Sequence, residues 1–338
     1  MMMIFSGHSQ ISGVGSFIPP NPIHSKDLLD DLKTDKRFGI KTEWMDENLG
    51  IESRRYCDDH EKPSDISSVA AMSAISDAGL EPRDIGAIIY CGITGDVIEP
   101  GTAHIIQNKI GAKNAICKDV QNACHGFCDG ILFGDLLIGG GVDHVLVVTC
   151  ELTRVSRLLY PSLKKEKSIQ NFLNRLGGLS VGDAAGAMIL SRKDCPEKGI
   201  QAINTQSDGS FNGLCSYDII SGRIEGKMIM DKICSMTLLK CARQLKPTMD
   251  RVKWKSADVD HFVTHQVGKK PYQAILKFSK FRPEGAPKTY DYLGNVTTAT
   301  LPINFELLKK SGKVGKGKKI CLLGTGSGIV FSWFCLTT

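Results

Sequence analysis

Cys124, His265 and Asn295 lie far apart in the chain, but their side chains form a coherent chemical set. Cys124 stands in Asn122-Ala123-Cys124-His125-Gly126, between a predicted strand over 116–120 and an apolar segment with helical spacing over 126–138. The partial positive charge of a helix N-terminus is expected to lower the thiol pKa and favour the nucleophilic thiolate. His265 is expected to close a strand over 261–265, and Asn295 lies in Gly294-Asn295-Val296-Thr297-Thr298, just ahead of another predicted helix. Each has a plainer reading alone: a small buried hydrophobe, a structural histidine, a turn. Placed at strand ends and loop mouths, the three can converge on one pocket. There a thiolate attacks a thioester carbonyl while N–H donors hold the developing oxyanion.

Two glycine-rich stretches bear on this reading. Gly324-Thr325-Gly326-Ser327-Gly328 invites a dinucleotide-binding interpretation. That motif needs a further glycine and then a helix, whereas position 329 is Ile and 330–336 reads as a strand. The backbone N–H of Ser327 suits an oxyanion hole, because flanking glycines allow close approach. Gly178-Leu179-Ser180-Val181-Gly182 matches G-x-S-x-G and keeps a serine-hydrolase alternative open. A nucleophile elbow follows a strand and opens a helix; here a polar loop precedes, and 184–190 reads as a strand.

The elements that must position these residues alternate along the chain. Ser64 and Asp65 are placed to cap a helix with Val69, Ala70, Met72, Ile75 and Ala78 at helical spacing. A strand over 88–92, a helix opened by Pro100 and a β-branched strand over 145–149 follow. A second series begins near Gly199, with helices predicted over 232–245, 271–278 and 302–308 and strands over 261–265, 320–323 and 330–336. This alternation predicts an α/β layered fold. The 338 residues are roughly twice a typical domain. Two similar halves packed as one body are expected, 1–195 with the nucleophile and 196–338 with the histidine and asparagine. The polar segment 162–178 is expected to form a mobile loop or cap.

Composition narrows the class. Hydrophobic residues make up 42% and charged residues 23%, as in an ordinary globular protein. The net charge of +6 includes clusters at Lys164, Lys165 and Lys167 and at Lys309, Lys310, Lys313, Lys316, Lys318 and Lys319. Such clusters are a solvated face, or a surface for coenzyme A phosphates or an acyl carrier protein. No arginine-rich arm or finger points to nucleic acid. Residues 1–15 lack the pattern of a secretory leader, and no apolar run of about 18 residues suggests a membrane span, so a cytoplasmic location with reduced thiols is expected. Cys124 and Cys128 are spaced C-x-x-x-C with no second pair, so no metal site is expected.

The stretches Asn122 to Phe127, Gly182 to Ala187, His265-Gln266, Gly294-Asn295 and Gly326-Ser327-Gly328 together resemble the thiolase superfamily, and within it the β-ketoacyl-ACP synthase III group, in the family's order over nearly the whole chain. The resemblance implies a five-layered αβαβα thiolase fold, a homodimer and a Cys–His–Asn active site. Cys124 would be acylated. His265 and Asn295 would bind the thioester carbonyl of the second substrate and stabilise its enolate. The N–H groups of Cys124 and Ser327 would form the oxyanion hole, and Asp183 would be structural.

Further stretches, among them Gly39-Ile40-Lys41-Thr42, Ile98-Glu99-Pro100-Gly101-Thr102-Ala103 and Leu322 to Gly328, resemble the OleA family, which joins two fatty acyl-CoA chains head to head in lipid biosynthesis. That likeness implies that Glu99 crosses the dimer into the partner's site and acts as base. Such a base is needed because a non-decarboxylative Claisen reaction must remove an α-proton. Glu99 read alone is equally a helix N-terminal charge before Pro100. His125 and Cys128 stand where smaller or apolar residues are common in the family. Trp44 falls near a family tryptophan that contacts coenzyme A, but the arginine expected shortly after it is absent. The leading expectation is an acyltransferase that loads Cys124 and condenses the acyl group with a second acyl-CoA. Coenzyme A thioester is then the substrate, and no permanently bound cofactor is needed. Decarboxylative condensation with a malonyl carrier, and acyl transfer to oxygen or nitrogen, stand as alternatives.

Overall fold

The computed structural model describes residues 4–152, 155–220 and 223–338; residues 1–3, part of the stretch read for a leader, lie outside them. Two five-stranded sheets carry the chain. One has the order Ser9–Phe17, Ala184–Arg192, His144–Glu151, Ala87–Tyr90, Ile116–Asp119. The other has the order Ile4–Phe5, Gly199–Ser207, Val330–Thr337, Lys319–Gly326, His261–Thr264. The first thus uses residues before 193, and the second uses residues from 199 onward plus a two-residue edge strand.

The strand His144–Glu151 explains the layering. Val145 and Val147 point to one core cluster, while Leu146 and Val148 point to another. Both faces are therefore covered, which is why the strand reads as an unbroken apolar run rather than alternating. On the outer face lie the helices Pro63–Asp77 and Thr102–Ile110, with Ala70, Ile75 and Ile106 buried. Between the sheets lie Gly126–Gly139 and Thr300–Lys310, with Ile131, Leu301 and Phe305 packed against Leu190, Leu322 and Phe334. Beyond the second sheet lie Met230–Arg251 and Lys269–Ser279, with Cys241, Leu245 and Ile275 against Phe262 and Trp333. The layers run αβαβα.

Several local expectations shift. The first long helix begins at Pro63 with Lys62 at its cap, and Asp65 accepts the Lys62 N–H at 3.0 Å instead of being the cap residue. Ser64 is drawn to Asp96. The helix expected to open at Pro100 begins at Thr102, because Asp119 accepts the N–H groups of Thr102 and Ala103 at 2.7 and 2.9 Å. The expected loop over 162–178 is mostly helical, with elements Val155–Lys165 and Ile169–Leu176. Leu159, Leu163, Phe172 and Leu176 are buried against Leu29, Leu32 and Met45, an apolar stripe that the polar residues of the segment mask in the sequence. The hairpin of Cys215–Ile220 with Arg223–Met228 stands apart from both sheets and supplies a wall of the site.

Candidate active site

A tight turn presents Cys124. Ala123 is in the left-handed region at φ 45°, His125 N–H donates to Asn122 C=O at 3.0 Å, and the helix Gly126–Gly139 starts two residues after the cysteine. His125 is fully buried behind the thiol. Its Nε2 lies 2.8 Å from Ser332 Oγ, its Nδ1 lies 3.2 Å from Asp129 Oδ1, and Asp129 in turn accepts from Asn122 Nδ2 at 2.7 Å. Cys128 packs against the strand Lys319–Gly326 at Gly324, where an added Cβ would fall 1.9 Å from its Sγ. Only glycine lets that strand come so near the nucleophile's helix, and the same strand delivers Gly326 and Ser327 to the cavity.

Cys124, His265 and Asn295 line one cavity of about 400 Å³, together with Gly326 and Ser327. The remaining wall is mainly apolar, with Met228, Met230, Ile233, Leu238 and Ile275 prominent. Glu99 is exposed in a loop with Val97 and Ile98 and does not line this cavity. Nor does it serve the next helix, whose first N–H groups go to Asp119.

The electrostatics of Cys124 correct the expected lowering of its pKa. Burial, and next the Glu151 carboxylate, push the thiol up from its ordinary value. A helix N-terminus contributes about 0.3–1 kcal/mol, less than one pKa unit, whereas burial shifts a group by up to about 3–5 units. Ionisation of this thiol therefore depends on a neighbour that takes its proton.

His265 follows the strand His261–Thr264 and is buried. Burial drives its pKa down to about 4, and nearby His125 adds to the shift, so the ring is neutral at pH 7. Thr300 Oγ1 donates to Thr297 C=O at 2.8 Å and lies 3.3 Å from His265 Nδ1. With its own proton committed, that hydroxyl accepts from Nδ1–H, which leaves Nε2 as the acceptor. Asn295 is oriented in the same way. Its Oδ1 accepts Thr297 N–H at 3.0 Å, so Nδ2 is the end with donors to offer. Its backbone pairs with Ser180 C=O at 2.9 Å and Gly182 N–H at 3.2 Å.

That pairing removes the serine-hydrolase alternative. Ser180 is buried, its hydroxyl donates to Gly177 C=O at 2.5 Å, and it lies in a short turn leading into the strand Ala184–Arg192. It is a support for Asn295 and does not line the cavity that Cys124 faces. The Gly324–Gly328 stretch is likewise a strand and turn, with no helix after it.

Several residues escaped the sequence. Thr297, at φ 43°, is a β-branched residue in a conformation that costs on the order of 1–3 kcal/mol, and it carries contacts from both Asn295 and His265. Cys215 faces the cavity beside Ser327. Glu151 ends the apolar strand His144–Glu151, and a carboxylate at the end of a buried run was the available signal. Trp44 is packed with Leu29 and Phe172 and does not reach the cavity.

Comparison with known proteins agrees with this fold. The model for 3-oxoacyl-[acyl-carrier-protein] synthase III matches residues 118–209, and that for its C-terminal part matches 249–337. An acyl-CoA:acyl-CoA alkyltransferase of Xanthomonas campestris is 30% identical over 97% of this chain and 97% of its own. A β-ketoacyl-[acyl-carrier-protein] synthase III of Ehrlichia canis is 28% identical over 96% and 97%. A crystal structure of Xanthomonas campestris OleA superposes with a TM-score of 0.91 at 27% identity, covering 99% of this chain and 100% of that one. Another, with lauric acid and lauroyl-CoA bound, gives the same TM-score, identity and coverage.

Proposed function

The chain belongs to the 3-oxoacyl-[acyl-carrier-protein] synthase III family of the thiolase superfamily, and from that premise we propose that it joins two acyl-CoA thioesters in a non-decarboxylative Claisen condensation. One observation carries this reading: a thiol, a neutral imidazole and an amide with its N–H end available face the same largely apolar cavity.

In the first half-reaction Cys124 Sγ attacks the acyl-CoA carbonyl, and His265 Nε2 takes the thiol proton. The N–H groups of Cys124 and Ser327 receive the oxyanion. Collapse expels the coenzyme A thiolate, which leaves with the proton. In the second half-reaction a base removes the α-proton of another acyl-CoA. Asn295 Nδ2 donates to the enolate oxygen. Its α-carbon attacks the Cys124 thioester carbonyl, the Sγ–C bond breaks to give the β-keto acyl-CoA, and the Cys124 thiolate recovers the proton that the base removed. The chemistry calls on no resident metal or cofactor.

We assign the base to Glu99 of a second copy. The strand Ile116–Asp119 is an edge of its sheet, and its first residue, Ile116, is exposed, as are Phe133 and Leu136 on the next helix. Unpaired edges bordered by apolar side chains invite pairing. Gly101, two residues after Glu99, lies against Asp119, the last residue of that edge strand. A homodimer formed along the edge thus receives the Glu99 loop at its interface.

Radiolabelled acyl-CoA tests the reading. Wild type should become labelled and Cys124→Ala should not; equal labelling of both would end it. Mass spectrometry of products from acyl-CoA alone, against acyl-CoA with a malonyl carrier or with an alcohol or amine, separates this reaction from decarboxylative condensation and from transfer to oxygen or nitrogen.

A further inference from the structure

Glu151 has no part in the reaction as written, yet it is fully buried at the end of the strand His144–Glu151. Among the described residues no cation pairs with it, and its Oε2 has no partner at hydrogen-bonding geometry. A buried carboxyl is destabilising unless it is held, and the groups that favour its charged form are the hydroxyls of Thr297 and Thr298 and the backbone of Ile93 and Thr298, so the turn at 297–298 is its main support. Its Oε1 accepts the hydroxyl of Thr298, whose oxygen also lies 2.5 Å from Thr149 Oγ1. Thr149 and Glu151 belong to the first sheet, whereas Thr298 belongs to the turn Thr297–Ala299 that leads into the helix Thr300–Lys310.

That turn is where the acceptor-binding groups are anchored. Thr297 gives its N–H to Asn295 Oδ1 and its C=O to Thr300 Oγ1, on which His265 Nδ1 rests. Thr297 is also the residue with the left-handed backbone. A strained turn persists only where its surroundings over-determine it. Here the neighbouring residue is fastened to a carboxyl on the opposite sheet.

We propose that Glu151 is a positioning residue for carbon–carbon bond formation: by accepting the Thr298 hydroxyl it clamps the Thr297 turn, and through the Thr297 N–H it sets the Asn295 amide against the enolate oxygen. The inference rests on the condensing reading above. Burial also raises the carboxyl pKa to about 7, so at pH 7 roughly half the molecules carry it uncharged.

The test compares wild type with Glu151→Ala, Glu151→Gln and Thr298→Val in two assays, single-turnover labelling of Cys124 by acyl-CoA and steady-state formation of the Claisen product. Labelling by Glu151→Ala and Thr298→Val should stay within about threefold of wild type. Their kcat for condensation should fall by roughly tenfold or more, with the KM for acyl-CoA little changed. Glu151→Gln, which keeps an acceptor oxygen for Thr298, should recover most of the loss. The proposal is overturned if Glu151→Ala and Thr298→Val condense at the wild-type rate. It is overturned equally if labelling and condensation fall together, or if Glu151→Gln is as slow as Glu151→Ala. Thr298→Val keeps the comparison decisive should Glu151→Ala fail to fold. Labelled wild type that makes no Claisen product would sink the functional reading, and this inference with it.

Discussion

The His125 ring reaches Ser332 Oγ at 2.8 Å and so ties the turn bearing Cys124 to a strand 207 residues further along the chain. The contact is fully buried and lies directly behind the nucleophile. His125→Ala empties a fully buried site and leaves Ser332 Oγ without its ring partner, and should lower stability by about 2–4 kcal/mol in urea unfolding. Ser332→Ala removes the smaller group and should lose about 1 kcal/mol. Equal midpoints for wild type and His125→Ala would show that the tie is slack.

Glu99 separates two ways of making the carbanion. Glu99→Gln should leave Cys124 labelling intact, reduce acyl–acyl condensation by roughly a hundredfold or more, and spare any malonyl-dependent product, since loss of CO2 needs no base. Full acyl–acyl rates in the variant would remove Glu99 from the mechanism.

Gly324 tests how tightly the strand Lys319–Gly326 meets the helix Gly126–Gly139. An added methyl collides with Cys128 Sγ at 1.9 Å, so Gly324→Ala should destabilise by about 1–3 kcal/mol. Adding Cys128→Ala should restore part of that, a coupling a double-mutant cycle measures directly. Strict additivity would mean that the strand moves away as a whole.

The two buried titratable groups act oppositely with pH. Glu151 has a folded pKa near 7, above its ordinary 4.5, so its stabilising contribution is whole below 4.5 and is lost as pH rises through 7. His265 has a folded pKa near 4, below its ordinary 6.5, so stability is lost as pH falls from 6.5 towards 4. Each shift corresponds to about 3 kcal/mol at most. Urea midpoints should therefore show Glu151→Gln gaining on wild type from pH 5 to pH 8. An unchanged difference across that range would refute the assignment.

The sequence carried the meeting of Cys124, His265 and Asn295 at one cavity because each lies beside a glycine or a strand end whose chemistry is local. It also carried the alternation of strands and helices, since a buried strand such as His144–Glu151 is apolar on both faces. What it could not carry depends on distance in the chain. The capping of Thr102 by Asp119, the pairing of Asn295 with Ser180 and Gly182, and the grip of Glu151 on Thr298 are tertiary contacts. The thiol of Cys124 was misjudged for a related reason: helix polarity is local and visible, whereas burial is set by the whole fold. The capping helices over 155–176 were hidden by exposed lysines and glutamines around a narrow apolar stripe.

Cys124 rides on one sheet's crossover, whereas His265 and Ser327 follow strands of the other and Asn295 lies in the connection between those two strands. Proteolysis between positions 192 and 199 would thus yield two fragments, neither able to turn over alone. Any activity regained on mixing them would report the reassembly of the interface itself, making this chain a natural split reporter.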